Sequence, residues 1–222
     1  LLSYFTGSQA HNVKLREIAQ KKGLSLNEYS FTKVDSGEEI LCQTEEEVYQ
    51  TLDLPYISPT LRENQGEIEA ARQGSLPNLV TKEDILSDLH MHSTWSDGKM
   101  TILEMGEAAA ERGLKYIVIT DHSASLGIAN GLSVERLREQ ADEVKAAAEQ
   151  LGARLKILHG TEMEIKADGT LDYPDEVLAE LDFVIASLHV SLNQPREQVT
   201  ERLLSAIHNP HVDMIGHPTG RL

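Results

Sequence analysis

The chain has 222 residues and a formal charge of −16, from 36 acidic and 20 basic side chains. That length holds one large domain or one and a half smaller ones. The charge excludes a surface built as a whole for polyanions, which needs a basic face, but leaves room for a metal site that meets phosphate locally.

A single cysteine, Cys42, excludes an intrachain disulfide framework and points to a reducing cytoplasm; it reads as a small buried apolar residue. No apolar run has membrane-spanning length, so no membrane partner is expected. The opening Leu1-Leu2-Ser3-Tyr4 has no initiator Met and no signal-peptide character, and leads us to expect a piece of a longer protein.

In the first third, Ser8 is a candidate N-cap for a helix carrying Leu15, Ile18 and Ala19 and stopping at Gly23. Strand-like runs follow at 28–33 and 39–42, around the turn Asp35-Ser36-Gly37. Thr44-Glu45-Glu46-Glu47 reads as a capping box opening a helix to about Leu52, and Pro55 and Pro59 close the regular structure. This predicts a small α+β unit over 1–72, then a turn-rich linker at 73–80.

From residue 81 strand and helix signals alternate. A helical turn is expected at 81–84, and strands at 85–91, 115–120, 155–159, 162–165, 183–189 and 212–217. Helices are expected from the Thr101-x-x-Glu104 capping box to Arg112, from Ser133 to Leu151, over 174–181 with Pro174 near its first turn, and over 195–208. The βαβα order predicts an α/β parallel sheet or barrel with helices outside.

The candidate chemistry sits at the strand ends. His90 and His92 are two apart and would share a face, with Asp97 in the Ser/Gly loop behind them. His122, Glu162, His189 and His217 follow at steps of 30, 40, 27 and 28 residues, each about one βα unit. Barrel enzymes gather their chemistry at the C-terminal ends of successive strands, and imidazoles with carboxylates suit zinc, manganese or iron.

Two resemblances cover nearly the whole chain. Tyr4-Phe5-Thr6-Gly7-Ser8, His11-Asn12, Arg16, Asn27-Glu28-Tyr29 and Leu54-Pro55-Tyr56 with Pro59, Arg62 and Glu63 resemble the thumb subdomain of family X DNA polymerases. Asp88-Leu89-His90-Met91-His92 with Asp97-Gly98, Thr120-Asp121-His122, Gly160-Thr161-Glu162-Met163-Glu164, Ser187-Leu188-His189 and Gly216-His217-Pro218 resemble the motif series of the PHP (polymerase and histidinol phosphatase) family. Bacterial and archaeal family X polymerases couple the two.

The thumb resemblance implies that Tyr4 and Phe5 lie against the sugar of an incoming nucleotide, that Asn12 reaches a base edge, and that the turn at Gly7-Ser8 positions them. It also implies a polymerase palm upstream, with Mg²⁺, and DNA and dNTP as partners of the parent protein. The PHP resemblance implies a distorted (β/α)7 barrel, left incomplete at Leu222 before its last Asp-x-His pair. It implies up to three clustered ions, zinc or manganese, held by His90, His92, Asp97, His122, Glu162, His189 and His217. Glu162, His92 and Asp121 are the expected catalytic residues; Asp121 orients a ligand imidazole or caps the loop. Glu164 faces the same side as Glu162 or pairs with a basic neighbouring side chain, and Arg221 is a candidate phosphate contact. Trp95 either stacks on a base or packs. His159 is expected to pack or hydrogen-bond, and His11, His208 and His211 to be solvated.

The implied activity is metal-dependent 3′→5′ exonuclease action on DNA, within a repair-type polymerase. The alternatives are a phosphatase of the histidinol-phosphatase type and a PHP domain that supports the polymerase without catalysis. Oligomeric state is not legible.

Overall fold

The computed structural model describes residues 1–219. The chain divides into two units, Leu1–Leu79 and Val80–Leu222.

The first unit opens with the single turn α1 (Leu2–Phe5) and the helix α2 (Gln9–Lys21). Ser8 Oγ accepts from the His11 amide and so caps α2. Gly23, at φ +73°, turns the chain out of the helix into the antiparallel sheet β1 (Leu24–Leu26), β2 (Phe31–Lys33) and β3 (Glu39–Ile40). The helix α3 (Glu45–Thr51) and the short helix α4 (Glu67–Arg72) complete the unit. Leu15, Ile18 and Ala19 of α2 meet Phe31, Tyr49, Leu52, Leu54, Ile57 and Ile68 in one core.

Three expectations change here. Strand β1 and helix α4 are additional to the expected elements; each is too short to show a period in the sequence. The Thr44 hydroxyl accepts from the Glu47 amide, but the Glu47 carboxylate turns to the amide of Gln43 instead of Thr44, so the capping box is half formed. His11 is fully buried, not solvated. It shares the inner face of α2 with Leu15 and Ile18, at i, i+4 and i+7, and its ring lies 2.5 Å from Glu67 Oε1 and 2.9 Å from the Tyr49 hydroxyl.

The second unit is α/β. Its elements are β4 (Ser87–Asp88), α5 (Ile102–Glu111), β5 (Tyr116–Ile119), α6 (Val134–Leu151), β6 (Lys156–Glu164), α7 (Asp175–Leu178), β7 (Phe183–Ser187), α8 (Arg196–Ile207) and β8 (Met214–Ile215). All five strands are parallel and lie in sequence order, β4-β5-β6-β7-β8. A parallel sheet whose order never reverses curls in the manner of a βα barrel; doubly wound sheets reverse at a switch point. One core joins α5 and α6 to β5 and β6, and a second joins α7 and α8 to β6 and β7. The Thr101–Glu104 capping box is complete in both directions, and Ser133 caps α6. Among the described residues no helix is long and apolar enough to cross a membrane.

The strand expected over 85–91 pairs only at Ser87–Asp88. Beyond it Thr120 meets Met91 through backbone and side chain together: its amide donates to the Met91 carbonyl at 2.9 Å, and Oγ1 donates to the same carbonyl at 3.0 Å and accepts from the Met91 amide at 2.9 Å. The two strands expected at 155–159 and 162–165 are one strand, β6. Gly160 does not break it; a Cβ there would collide with the Phe183 carbonyl and Val118, so glycine is what lets β7 approach. Pro174 stands at the N-cap of α7, one position earlier than expected.

Candidate metal centre

Glu162, on β6, is 1% exposed, and five imidazoles surround its carboxylate. Oε2 lies 3.1 Å from His90 Nε2, 3.5 Å from His92 Nε2 and 3.1 Å from His122 Nδ1. Oε1 lies 3.2 Å from His189 Nε2 and 2.8 Å from His217 Nε2. The histidines come from the segments after β4, β5, β7 and β8, which a parallel sheet delivers to one end. Gly216 permits the last approach, since a Cβ there would collide with Ser187 Oγ. Burial pushes the Glu162 carboxyl up. The surrounding imidazoles, His189 and His90 foremost, outweigh it, and the group sits far below the usual carboxylate range.

His92 and His122 stack with ring centroids 4.3 Å apart. Asp97 reaches both, 3.9 Å from His92 Nδ1 and 3.7 Å from His122 Nε2. Burial, then the neighbouring His92, lowers the His122 pKa.

Asp121 does not orient a ligand imidazole. Its carboxylate is fully buried and accepts from the Ser93 amide and hydroxyl, the Ser96 hydroxyl and the Gln140 side chain. It fixes the loop that carries Asp97, because it lies one residue before His122 with its side chain turned away from the imidazoles. The residue that does orient an imidazole is Glu164, two positions after Glu162 on the same face of β6. It accepts from His189 Nδ1 at 2.8 Å and from the amides of His189 and Val190. Held between Glu162 and Glu164, His189 has its pKa pushed up to about 9.

Three overlapping donor sets can each accept one ion: His90, His92 and Glu162; His92, Asp97 and His122; His122, Glu162 and His189. The donors fit metal. His92 Nδ1, His122 Nδ1 and Ser187 Oγ are buried without a hydrogen-bond partner among the described residues, and such atoms are costly unless something else meets them. His217 touches Glu162 from outside these sets.

In the first unit Tyr4 and Phe5 are exposed, Phe5 at 73%, and their rings meet edge to face at 5.1 Å. Arg16 stacks over Tyr4, and Asn12 Nδ2 donates to the carbonyls of Ser8 and Tyr4. Gly7, at φ +78°, lies against Arg62, whose guanidinium is buried and bonds Thr6, Glu45 and the Ile57 carbonyl. Tyr4, Asn12 and Arg16 line one cleft with Tyr29 and Phe31. Arg221 lies outside the described residues.

Trp95 packs: its ring joins both cores of the second unit, its Nε1 donates to Glu143, and Arg136 covers it. Cys42 is half-buried against the first core. His159 is hydrogen-bonded to Gln140, as expected of a strand histidine. His208 is exposed and His211 half-buried.

Comparison with known proteins finds family matches for both units. Residues 1–63 match the family model of the DNA polymerase beta thumb, and residues 88–222 match that of the PHP domain. The chain is 48% identical over 221 residues to the DNA polymerase/3′-5′ exonuclease PolX of Bacillus subtilis, covering all of this chain and 38% of that protein. It is 36% identical over 139 residues to a probable phosphatase of Caldanaerobacter subterraneus, covering 60% of this chain and 52% of that one. The chain thus spans little more than a third of the first relative and about half of the second. A solved histidinol phosphate phosphatase of Lactococcus lactis, complexed with zinc, L-histidinol and phosphate, aligns with a TM-score of 0.41 at 22% identity, over 60% of this chain and 58% of that one.

Proposed function

This chain belongs to the PHP domain family, with a polymerase-β-type thumb ahead of its PHP unit, and on that premise we propose that it is part of a family X DNA polymerase whose PHP domain hydrolyses DNA phosphoesters as a metal-dependent 3′→5′ exonuclease. In this reading 1–72 is the thumb, 73–80 the linker and 81–222 the PHP domain. The polymerase palm, with its Mg²⁺, lies upstream in the parent protein, whose partners are DNA and dNTP. Tyr4, Phe5, Gly7, Ser8 and Asn12 serve the nucleotide in that parent, and Arg221 meets a phosphate.

The observation that carries the hydrolytic reading is the Glu162 carboxylate. Its two oxygens face different histidine sets, the arrangement one carboxylate needs to serve two ions. His90 and His92 would hold the first ion with Glu162. Asp97 would hold the second with His122, and His189 the third with Glu162, each neutral imidazole giving its one lone pair to one ion. His217 completes the shell on the Oε1 side. Zinc or manganese suits these nitrogen and oxygen donors. Bound there, such ions supply hydroxide near neutral pH and charge for the phosphoryl oxygens. The protein's own part is orientation. Glu164 fixes the His189 ring so that Nε2 points inward, and Asp121 fixes the Ser93–Asp97 loop.

The test is Mn²⁺-dependent shortening of a 3′-recessed primer by the parent polymerase, beside a His90→Ala/His92→Ala double variant. Loss of shortening in the variant alone supports the nuclease. A parent that extends primers yet shortens none leaves the supporting, non-catalytic role. A small-molecule phosphatase is favoured by the likeness of the PHP unit to the probable phosphatases. It predicts rapid release of phosphate from histidinol phosphate, and the thumb-like first unit speaks against it.

A further inference from the structure

Behind the candidate metal centre runs a chain of buried polar side chains that the ligands do not account for. Asp121 is fully buried and makes no ion pair among the described residues. Its carboxylate is met instead by Ser93 N at 2.8 Å, Ser93 Oγ and Gln140 Nε2 each at 2.5 Å, and Ser96 Oγ. Gln140 is also fully buried. It sits on the inner face of α6, between Leu137 and Val144, where an apolar residue would be expected. Its Oε1 lies 3.1 Å from His159 Nε2 on β6.

Donor and acceptor rules give the chain a single sense. A carboxylate only accepts, so the Gln140 amide must turn its NH₂ to Asp121 and its oxygen to His159; His159 must then carry its proton on Nε2. A buried amide in an apolar face is costly unless both ends are met, and here both are. The helix therefore grips Asp121, and Asp121 grips the loop from Ser93 to Asp97.

We propose that Gln140 is a positioning residue for one ion of the centre, the one assigned to Asp97 and His122. Of the three donor sets, the one that includes Asp97 alone draws on the loop; Asp97 is half-exposed, and apart from the two imidazoles its carboxylate meets only Ser96 Oγ of the same loop, at 3.4 Å, among the described residues. The other sets rest on Glu162 in the sheet and on His189 held by Glu164. The inference rests on the metal-centre reading above.

The experiment is metal titration of the 222-residue chain with Mn²⁺ and with Zn²⁺. Calorimetry reads the affinities and elemental analysis the stoichiometry, for the wild type, Gln140→Met, Ser96→Ala and Ser96→Thr. Gln140→Met keeps the volume of the side chain and removes both hydrogen bonds; Ser96→Thr keeps the hydroxyl. The expected result is one ion equivalent weakened about 10–100-fold in Gln140→Met and Ser96→Ala. The remaining equivalents stay at wild-type affinity, and Ser96→Thr restores the first. A purely structural Gln140 would lower the melting temperature of the ion-free chain and leave the ion affinities alone; that outcome overturns the proposal, as does equal loss of every ion. Should Gln140→Met fail to fold, Gln140→Asn, whose shorter side chain cannot reach Asp121 and His159 together, is read against the same outcomes. A wild type that binds no ion overturns the metal-centre reading and this inference together. A wild type that binds its ions while all variants match it overturns this inference alone.

Discussion

Glu164 holds His189 twice, by the ring at Nδ1, 2.8 Å away, and by the backbone amides of His189 and Val190. The double grip fixes both the position of the residue and the direction of its Nε2, which faces Glu162. Glu164→Gln keeps the size but replaces one acceptor oxygen by a donor. The expected outcome is a 10–100-fold loss of affinity for one ion, read by calorimetry with Zn²⁺ or Mn²⁺. Wild-type affinity in the variant would dismiss the orienting role.

Glu162 belongs to two of the three donor sets, whereas His217 belongs to none. Glu162→Gln is therefore expected to lose two ion equivalents, and His217→Ala at most one. Elemental analysis of the purified variants distinguishes the cases. Equal losses in both would show that the carboxylate is not shared.

Ion binding also bears on stability. The centre gathers five histidines around one carboxylate, and an ion that binds only the folded chain stabilises it by about 2.7 kcal/mol at a hundred times its dissociation constant. A chelator is expected to lower the melting temperature of the second unit and leave that of the first unchanged. A chelator-insensitive second unit would contradict the ion-binding assignment.

The first unit has its own pH dependence. Burial raises the carboxyls of Glu45 and Glu67. Arg62 in the first case, and His11 with the amides of Asn64 and Gln65 in the second, outweigh it, so both lie below their ordinary value. A carboxylate depressed in the folded state binds its proton more readily when unfolded. Its stabilisation is thus complete above the ordinary pKa of 4.5 and is lost as pH falls through the lower, folded value. Urea unfolding of the first unit is expected to shift to lower urea below about pH 4.5. In a Glu67→Gln variant that acid shift should be smaller; an equal shift would remove Glu67 from the account.

Gly160 lies where β6 and β7 approach most closely. Gly160→Ala puts a methyl group into the Phe183 carbonyl and Val118, two groups held by the sheet. The expected cost is about 1–3 kcal/mol, measured by urea unfolding. A neutral effect would mean that the strands part without penalty.

What could be read from the chain depended on the range of the signal. The caps at Ser8, Thr101 and Ser133 are local, and the chain alone displays them. The meeting of His90, His92, His122, His189 and His217 around Glu162 was legible because a parallel sheet brings each strand end to one side, and the spacing of the residues matched its repeat. Partnerships across the fold were not legible. His11 looked like any surface histidine until Tyr49 and Glu67 folded onto it; its place at i with Leu15 and Ile18 was the overlooked sign. Gln140 gave a similar hint, a polar residue within an apolar stripe. Asp121 carried its motif position but not the direction of its side chain. The strand pattern over 85–91 outruns β4 because beyond Asp88 the Met91 amide is met by the Thr120 hydroxyl and not by a backbone carbonyl, which a sequence pattern does not distinguish.

Arg202 of α8 is 2% exposed and spends its guanidinium mostly on main-chain oxygens: those of Ile165 and Lys166 after β6, and those of Val190 and Ser191 after β7, with the Gln194 side-chain oxygen as the one exception among the described residues. Every residue type owns a carbonyl. The two loops are tied down chiefly by a part of the chain that substitution leaves in place, so most of their exposed side chains are free to diverge between descendants while the mouth of the centre keeps its shape. The arginine and its side-chain partner Gln194 are denied that freedom, since lysine has no planar fork to reach both loops at once.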